Sequence, residues 1–339
     1  MRIVLVTDAA PPQVNGVVIT LSTLTQELVH LGHDVRTITP MMFRTLPCPT
    51  YPEIRLALFA YRGVHDAIAH AAPDAVHIAT EGPLGMAARR VCLERGLCFT
   101  TAYHTRFPEY VRARVPVPVG LTYAWLRRFH SRAVRVMVPT LSMKHELLAR
   151  GIGHTVIWPR GVDIARFEPY GERAIERRSP VFMYVGRVAI EKNLRAFLDL
   201  DLPGEKWVVG GGPQLELLRR AYPDVHFAGP KAHAELAPWY RSADVFVFPS
   251  RTDTFGLVLL EAMACGVPVA AFPVTGPIDI LDPASAAMDE DLAIALIKAL
   301  QCDRKEAADY GATFGWRRSA EQFLAALVPQ GYGRGKLAA

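Results

Sequence analysis

Two acidic residues flank the start of an apolar run in the segment TDTFGLVLLEAMACG, and they are separated by eight positions. They are Asp253 and Glu261. The run follows the strand-like DVFVF and stops at Gly266, so it predicts a helix that begins just after the first acid. Free backbone amides at a helix start bind anions, and the helix dipole reinforces them. Gly256 lies at this helix start and has no side chain to block the close approach of a ligand.

This spacing matches the layout of a nucleotide sugar, with a diphosphate at its centre and hydroxyl groups at both ends. Eight helical residues span roughly 12 Å at about 1.5 Å each. Carboxylates accept hydrogen bonds from hydroxyls and repel phosphates, so Asp253 and Glu261 would each bind one end of the ligand. The alternative interpretation is that Asp253 only caps the helix and that Glu261 is a solvated helix residue.

A second pattern, YVGRVAIEKN, places two cations after a glycine that ends a strand. Gly186 ends the strand, and Arg187 and Lys192 follow in the turn into a helix. Two cations beside a phosphate site would neutralise the charge that grows on a diphosphate leaving group, without a divalent metal. The alternative is two surface cations in an ordinary loop.

A third loop, TDAAPPQVNGVV, contains Asn15 and Gly16 immediately before a predicted helix. Gly16 permits close approach of the backbone to a ligand, whereas the alternative is a plain turn. The loop does not match the G-x-G-x-x-G fingerprint of ordinary dinucleotide sites. A separate GGGP run resembles a phosphate loop, but its position favours a structural strand-to-helix turn with Pro213 as the first helical residue.

His104 follows the strand-like CFTTAY, at the carboxyl end where ligand-binding residues of parallel sheets lie. A lone histidine is more often structural than catalytic. No second His or Cys lies at metal-ligand spacing, so no metal site is predicted. Two D-x-D tripeptides, Asp199–Asp201 and Asp289–Asp291, match a metal-binding pattern but fall at predicted helix edges, and we interpret both as chance matches.

Strand-like runs alternate with helical patterns along the chain of 339 residues, a length that suits two domains. The runs RIVLV, DVRTI, EIRLAL, AVHI and VRVMV precede a Pro-, Gly- and charge-rich break, and VFMYVG, KWVVGG, VHFAG, DVFVF and PVAAF follow it. Continuous apolar strands between helices predict α/β architecture with two doubly wound parallel sheets. Ligands of such sheets bind beyond the carboxyl ends of the strands, which would place one cleft between the two domains.

The composition bounds the partners and the compartment. The formal net charge is +5, which fits a polyanionic ligand or an anionic membrane, and no nucleic-acid-binding module is recognisable. The five cysteines form no C-x-x-C pair and predict a reduced, cytoplasmic chain. The first residues predict a strand rather than a signal peptide, and no apolar run is long enough to span a membrane.

Together these loops resemble the retaining family 4 glycosyltransferases of the GT-B fold. The most specific part is the family's E-x7-E pattern, here Asp253-x7-Glu261, and GRVAIEKN, the His-Thr pair at 104–105 and PRGVD at 159–163 add support. The resemblance implies two Rossmann-like domains that face each other across a cleft. An acceptor domain would cover residues 1–160, a nucleotide-sugar domain residues 161–315, and a C-terminal helix over 316–328 would cross back to the first domain.

The resemblance also implies a role for each site residue. Glu261 would bind the ribose hydroxyls and Asp253 the sugar hydroxyls, although the family usually has Glu at the first acid. His104 would contact the sugar near the anomeric centre. The remaining donor-binding residues fall into three groups: the nucleobase turn Phe227 and Gly229; the diphosphate-binding Gly186, Arg187, Lys192, Phe255, Gly256 and Leu257; and the loop Asn15–Gly16, which would close over the diphosphate.

Within the family, the sequence is most similar to GDP-mannose-dependent α-mannosyltransferases and to bacterial enzymes that glycosylate diacylglycerol, including sulfoquinovosyl-lipid synthases. The implied activity is metal-free transfer of a hexose from a GDP- or UDP-sugar, with retention and with no cofactor, to a lipid such as diacylglycerol. The alternatives are α-mannosyl transfer to a soluble or polysaccharide acceptor, a sugar-nucleotide epimerase and a non-catalytic nucleotide-sugar binder.

Residues 109–136 predict the membrane contact of such an enzyme, because arginines alternate there with aromatic and aliphatic residues. The expected location is peripheral, on the inner face of the cytoplasmic membrane. The alternative is an ordinary amphipathic helix whose arginines face water. The cations are Arg112, Arg114, Arg127, Arg128 and Arg132, and the apolar residues are Val117, Val119, Leu121, Tyr123, Trp125 and Leu126.

Overall fold

The computed structural model of the chain describes residues 1–13, 15–48, 51–112, 117–176 and 179–331. The chain divides into two compact units. Unit 1 contains Met1–Pro159 and the chain from Trp316 onward, and unit 2 contains Arg160–Gly315. The predicted doubly wound α/β architecture is confirmed, because each unit is built on its own parallel sheet.

Unit 1 has a six-stranded parallel sheet in the order β2-β1-β5-β6-β7-β8. Its apolar strands are buried on both faces, as the uninterrupted runs RIVLV and AVHI predict. The strands of unit 1, including a separate hairpin, are β1 (Arg2–Val6), β2 (Asp34–Ile38), β3 (Thr45–Cys48), β4 (Tyr51–Ala57), β5 (Ala75–Ile78), β6 (Thr100–Ala102), β7 (Arg135–Val138) and β8 (Thr155–Ile157).

The prediction that EIRLAL joins this parallel sheet is wrong. All of it but the last residue lies in β4, which pairs with β3 as an antiparallel hairpin, with Thr45 opposite Ala57. The physical reason is visible in the sequence, because apolar and charged residues alternate in EIRLA. Such alternation is typical of an antiparallel strand with one solvated face and not of a strand buried on both faces.

Helices cover the sheet of unit 1. The C-terminal helix belongs to this unit, and Phe323 from it packs in the same apolar cluster as Leu21 and Leu24 of the first helix. The helices are α1 (Gly16–His30), α2 (Tyr61–Ala71), α3 (Pro83–Glu94), α4 (Phe107–Arg112), α5 (Val119–His130), α6 (Leu141–Ala149) and, at the C-terminus, α14 (Trp316–Ala326).

Unit 2 has a second six-stranded parallel sheet, in the order β11-β10-β9-β12-β13-β14. The strand order reverses between β9 and β12, and such a switch point is where doubly wound sheets bind ligands. The five strands predicted for this half are confirmed. The strands are β9 (Val181–Val185), β10 (Glu205–Val209), β11 (His226–Gly229), β12 (Val245–Phe248), β13 (Val269–Ala271) and β14 (Ala286–Met288).

The helices of unit 2 pack on both faces of this sheet. The helix expected to begin near Phe255 begins at Leu257 and ends at Ala264. The helix that follows the GGGP run begins at Leu215, two residues later than predicted. Pro213 is therefore not the first helical residue. The helices are α7 (Arg195–Leu198), α8 (Leu215–Ala221), α9 (Leu236–Ser242), α10 (Leu257–Ala264), α11 (Pro277–Ile280), α12 (Leu292–Ala299) and α13 (Arg304–Ala312).

Candidate active site

The switch point of unit 2 brings two loops together. The loop after β9 and the loop after β12 leave neighbouring parallel strands at the same edge of the sheet. Hydrogen bonds connect them: the Asn193 amide donates to the Pro249 carbonyl at 3.1 Å, and the Thr252 hydroxyl donates to the Glu191 carbonyl at 3.2 Å. The predicted cations and the predicted first acid therefore lie on two loops that are fastened to each other.

Lys192 and Asp253 form an ion pair between these loops. The Lys192 Nζ lies 2.6 Å from Oδ1 and 2.7 Å from Oδ2 of Asp253. Their side chains are only 21% and 16% exposed. Burial acts to lower the pKa of Lys192, but the charge and hydrogen bond of Asp253, together with Tyr184 and Glu191, outweigh it, and the pKa lies above its usual value. Lys192 is consequently a permanent cation at neutral pH.

Asp253 does not cap the helix that follows it, so the capping alternative is wrong. The N-cap residue of α10 is Gly256, which has a φ of +93° and no side chain with which to accept a hydrogen bond. A Cβ at this position would lie 3.0 Å from Leu259 Cδ1 in a backbone conformation that favours glycine. The helix start therefore lacks a side-chain cap from its N-cap residue, which leaves room for an anion at its amides.

Glu261 is buried inside unit 2, with 5% of its surface exposed. Its Oε1 lies 2.8 Å from His233 Nε2, and its Oε2 accepts a hydrogen bond from the Tyr240 hydroxyl at 2.7 Å. Burial, with the nearby Glu261 charge, raises the pKa of Tyr240 well above its usual value, so Tyr240 stays a donor. The alternative that Glu261 is a solvated helix residue is wrong.

His233 and Tyr240 are the site residues that the sequence reading misses. Tyr240 lies on α9 and has no pattern that distinguishes it from other buried aromatics. His233 offered a weak signal, because it lies shortly after Gly229, where β11 ends at the carboxyl edge of the sheet. A lone histidine is usually structural, and only the contact with Glu261 distinguishes this one.

Glycines near the two cations determine the backbone conformation of the loop after β9. Gly186 has a φ of +149°, and its N–H donates to the Val209 carbonyl at 2.9 Å. The GGGP run packs against this loop: a Cβ on Gly210 would lie 1.8 Å from the Gly186 carbonyl oxygen. The structural interpretation of GGGP fits this packing. Arg187 is exposed, and its carbonyl accepts a hydrogen bond from the Tyr184 hydroxyl at 2.8 Å.

The predicted nucleobase turn lies at the end of β11. Gly229 is buried with a φ of +73°, and its carbonyl accepts a hydrogen bond from the Gly210 N–H at 2.9 Å. Phe227 is half-buried and packs against the apolar core of unit 2. Part of the Phe227 ring is therefore covered by the core.

The other predicted site residues belong to unit 1. The Asn15 side chain caps α1, with Oδ1 accepting from the amides of Val17 at 3.1 Å and Val18 at 3.0 Å. Gly16 is the first residue of that helix and is exposed. His104 is the second residue after β6 and is 9% exposed. Its ring makes an edge contact with the Trp158 ring, with 5.9 Å between the ring centroids. Their roles toward a donor stay predictions.

The D-x-D carboxylates have structural contacts. Asp199 accepts a hydrogen bond from the Tyr222 hydroxyl, Asp289 pairs with Lys298 at 2.9 Å, and Asp291 caps α12. Across the residues that the structure describes, no group of three or more His, Cys, Asp and Glu side chains is arranged to hold a metal ion.

The predicted membrane segment corresponds to α4 and α5, and part of the prediction is wrong. Tyr123 and Leu126 are buried, because their i, i+3 spacing places both on the face of α5 that packs on the core with Phe129. Arg114 lies outside the described residues. The cations that lie within them are exposed: Arg112, Arg127, Arg128 and Arg132.

An apolar surface remains on the same part of unit 1. Leu121 is 64% exposed and Phe107 is 42% exposed, and both line a shallow pocket with Trp125. The rings of Phe107 and Trp125 lie 5.9 Å apart. Within the described part of the chain, no helix is both long enough and apolar enough to cross a bilayer.

The geometry of unit 2 suits an anionic ligand with hydroxyl groups. The site contains the Lys192–Asp253 ion pair, the start of α10, which has no side-chain cap from its N-cap residue, and the buried carboxylate of Glu261 on the same helix. Similarity to known proteins agrees with this chemistry. Residues 14–166 match the model "Glycosyltransferase Family 4", and residues 179–302 match the model "Glycosyl transferases group 1".

Two relatives and one solved structure illustrate the similarity. A GDP-mannose-dependent alpha-mannosyltransferase of Mycolicibacterium smegmatis is 31% identical over 313 residues, 84% of this chain and 82% of the relative. An alpha-monoglucosyldiacylglycerol synthase of Streptococcus pneumoniae is 29% identical over 315 residues, 80% of this chain and 71% of the relative. The sucrose-phosphate synthase structure from Thermosynechococcus elongatus superposes with a TM-score of 0.75 at 22% identity, covering 96% of this chain and 97% of that one.

The structural match extends over nearly the whole of both chains and confirms the predicted GT-B fold. The sequence matches cover both units and agree with the resemblance inferred from the Asp253-x7-Glu261 pattern. This chain belongs to family 4 of the glycosyltransferases, enzymes that use nucleotide sugars as donors.

Proposed function

We propose that the chain transfers a hexose from a nucleoside-diphosphate sugar to a lipid acceptor, with retention of anomeric configuration and without a metal ion. The observation that supports this most directly is the ion pair of Lys192 and Asp253 at the start of α10. It joins a fixed cation to the loop that leads into the amides at the start of α10, and that loop also carries the carboxylate of Asp253. A diphosphate needs the first two groups, and sugar hydroxyls need the third.

The positive groups would act on the leaving diphosphate. The bond from the anomeric carbon to the phosphate oxygen breaks, so negative charge on that oxygen is largest in the transition state. Lys192, held by Asp253, and the exposed Arg187 are the cations assigned to this charge. Preorganised donors of this kind lower the barrier because they need no reorganisation during the reaction.

Retention would not require a protein nucleophile. In this scheme the acceptor hydroxyl attacks the face that the diphosphate leaves, its oxygen bonds to the anomeric carbon, and its proton passes to the departing phosphate oxygen. The only carboxylate close to His104 in the sequence, Glu109, accepts a hydrogen bond from the Tyr123 hydroxyl at 2.9 Å, which suits a structural role. His104 is assigned to the sugar near the anomeric centre.

GDP-mannose is the first donor to test. The relative from M. smegmatis is named a GDP-mannose-dependent alpha-mannosyltransferase and aligns with 84% of this chain. UDP-glucose is the second, because the S. pneumoniae relative has glucose and diacylglycerol in its name. Both names specify an α product, and both nucleotide sugars are α-linked, which supports retention.

A lipid acceptor is supported by unit 1. Leu121 of α5 and Phe107 of α4 expose apolar surface, and Arg127 and Arg128 lie exposed near the end of α5. Cations beside exposed apolar side chains favour the surface of an anionic bilayer. We therefore propose diacylglycerol as the acceptor and a peripheral location on the inner face of the cytoplasmic membrane.

A single screen tests this proposal. The full chain is incubated in EDTA with GDP-mannose or UDP-glucose and with anionic vesicles that contain diacylglycerol, and the sugar is followed into lipid, free sugar and nucleotide sugar. We expect labelled glycolipid from one donor and none with Asp253→Asn. An epimerised nucleotide sugar would indicate an isomerase, and binding without turnover of any donor would indicate a binding protein.

Two further outcomes correct parts of the proposal. Label found only in soluble acceptors would contradict the lipid assignment while leaving the transferase assignment in place. Activity that disappears in EDTA and returns with Mg²⁺ or Mn²⁺ would contradict metal independence and direct attention back to Asp199–Asp201 and Asp289–Asp291.

A further inference from the structure

His233 makes a direct contact with the carboxylate assigned to the ribose. Its Nε2 lies 2.8 Å from Glu261 Oε1, although the two residues are 28 positions apart in the sequence. The His233 side chain is 25% exposed, whereas Glu261 is nearly covered at 7%. The histidine thus lies at the accessible edge of a buried carboxylate.

The second nitrogen of the ring fixes which atom bears the proton. His233 Nδ1 lies 3.3 Å from Arg166 Nη1. A guanidinium can only donate hydrogen bonds, so Nδ1 must accept, and the neutral ring then bears its hydrogen on Nε2. The His233 Nε2–H consequently donates to Glu261.

The partners of His233 come from the segment that follows the PRGVD motif. Arg166 is paired with Asp163, with 3.6 Å between Nη2 and Oδ2. The Arg166 N–H also donates to Asp163 Oδ1 at 3.1 Å, which forms a local turn. The Phe167 ring, 1% exposed, packs 5.3 Å from the His233 ring. The segment after the motif therefore contacts His233 with Arg166 at the ring nitrogen and with the Phe167 ring.

The contacts leave a defined set of acceptor positions on Glu261. An ionised carboxylate has about four lone-pair positions. His233 occupies one on Oε1 and Tyr240 occupies one on Oε2, so one position remains on each oxygen. Two hydroxyls on adjacent carbons of a ribose donate two hydrogen bonds in the same plane. The two remaining positions match that demand, provided that the carboxylate does not rotate.

We propose that His233 is a positioning residue that orients the Glu261 carboxylate for a ribose diol and thereby sets the preference for ribonucleotides over deoxyribonucleotides. This inference rests on the proposed function, because it assumes that Glu261 binds the ribose. Tyr240 fixes the same carboxylate from the core at 0% exposure, and His233 fixes it from the accessible side. His233 is the better test residue, because its replacement opens no core cavity.

The test measures binding of GDP and 2′-deoxy-GDP by calorimetry, with UDP and 2′-deoxy-UDP in parallel. Wild type should bind the ribonucleotide about tenfold or more tightly, since a hydrogen bond to a charged acceptor is lost in the deoxy analogue. His233→Leu should reduce this ratio at least about threefold, while affinity for the deoxynucleotide changes less than about twofold. His233→Gln retains an N–H donor and should preserve most of the preference.

Comparison with Glu261→Gln separates the two levels of the assignment. If that variant abolishes the ribose preference but His233→Leu leaves it unchanged with a wild-type melting temperature, Glu261 binds ribose and the role of His233 is refuted. If Glu261→Gln retains the full preference, the ribose assignment itself fails. A loss of affinity for GDP and 2′-deoxy-GDP by the same factor in His233→Leu would indicate a purely structural histidine and would also overturn the proposal.

Discussion

Asp253 and Lys192 are best understood as one unit, because each satisfies the other in a partly buried place. The carboxylate binds the ammonium through both oxygens, at 2.6 and 2.7 Å. The family usually has the longer Glu at the first acid. The shorter Asp253 still reaches Lys192 and retains lone pairs for hydroxyls, so we expect the difference to affect which sugar is accepted more than whether transfer occurs.

Replacing either cation should reduce turnover more than donor binding. Lys192→Ala and Arg187→Ala are expected to lower kcat by about 10²-fold, because the charge that they meet is largest in the transition state. Arg219→Ala is the matched control, since Arg219 is an exposed arginine on α8 of the same unit. Steady-state kinetics and donor binding measure the effect. Unchanged kcat in Lys192→Ala would refute its role at the leaving group.

The ion pair should also appear in stability. A double-mutant cycle of Lys192→Met and Asp253→Asn is expected to give a coupling free energy of about 1–3 kcal/mol at pH 7. Because the pKa of Lys192 is raised in the folded state, this stabilisation is complete below the unfolded value of 10.5 and declines as pH rises through the folded value. Thermal unfolding from pH 7 to 11 measures it. Coupling that is absent at pH 7 contradicts the pair.

Helix α10 shows how an element prepares the site before any ligand arrives. Its start is set by Gly256 and its interior by buried apolar residues, so the helix is fixed to the core while its N-cap residue provides no side-chain cap. The loop after β9 is fixed in a different way. The backbones of Gly210 and Gly212 pack directly on the carbonyls of Gly186 and Val188 in this loop.

That support predicts a sharp difference between neighbouring glycines. Gly210→Ala should destabilise unit 2 by about 3 kcal/mol or more, because the Cβ would lie 1.8 Å from the Gly186 carbonyl oxygen. Gly211→Ala is the control, since its Cβ would meet Pro230 Cβ at 3.4 Å, an ordinary contact. At roughly 2–4 °C per kcal/mol, the first variant loses at least about 6 °C in Tm. Equal melting temperatures for both variants would contradict this packing.

Charge reversal on α5 tests the proposed membrane surface. Arg127→Glu with Arg128→Glu should reduce the partition constant for anionic vesicles, measured by sedimentation, by about thirtyfold or more, because each cation near such a surface contributes about 1 kcal/mol. Arg219→Glu with Arg220→Glu changes the net charge equally on unit 2 and serves as the control. Binding should also weaken with salt. If both double variants lose binding equally, a general charge effect replaces the specific surface.

The sequence predicts the sheets well because continuous apolar strands such as VFMYV leave a strong local pattern. It misses β3, β8 and β14, which have three or four residues each, whereas the equally short β13 is predicted because it lies within the apolar run PVAAF. Composition alone predicts a membrane surface for Tyr123 and Leu126, although their helical spacing indicates the core. The contacts of Glu261 with His233 and Tyr240 join residues 28 and 21 positions apart, and no local pattern reports such pairs.

The anomeric configuration of the product tests the central claim most directly. The chain is incubated in EDTA with GDP-mannose and diacylglycerol vesicles, with UDP-glucose in parallel, and the glycolipid is analysed by NMR through the one-bond coupling at the anomeric carbon. We predict an α-linked product whose rate of formation falls about 10²-fold in Lys192→Ala. A β-linked product would contradict the retaining mechanism, and an α-linked product formed equally well by Lys192→Ala would contradict the leaving-group role assigned to Lys192.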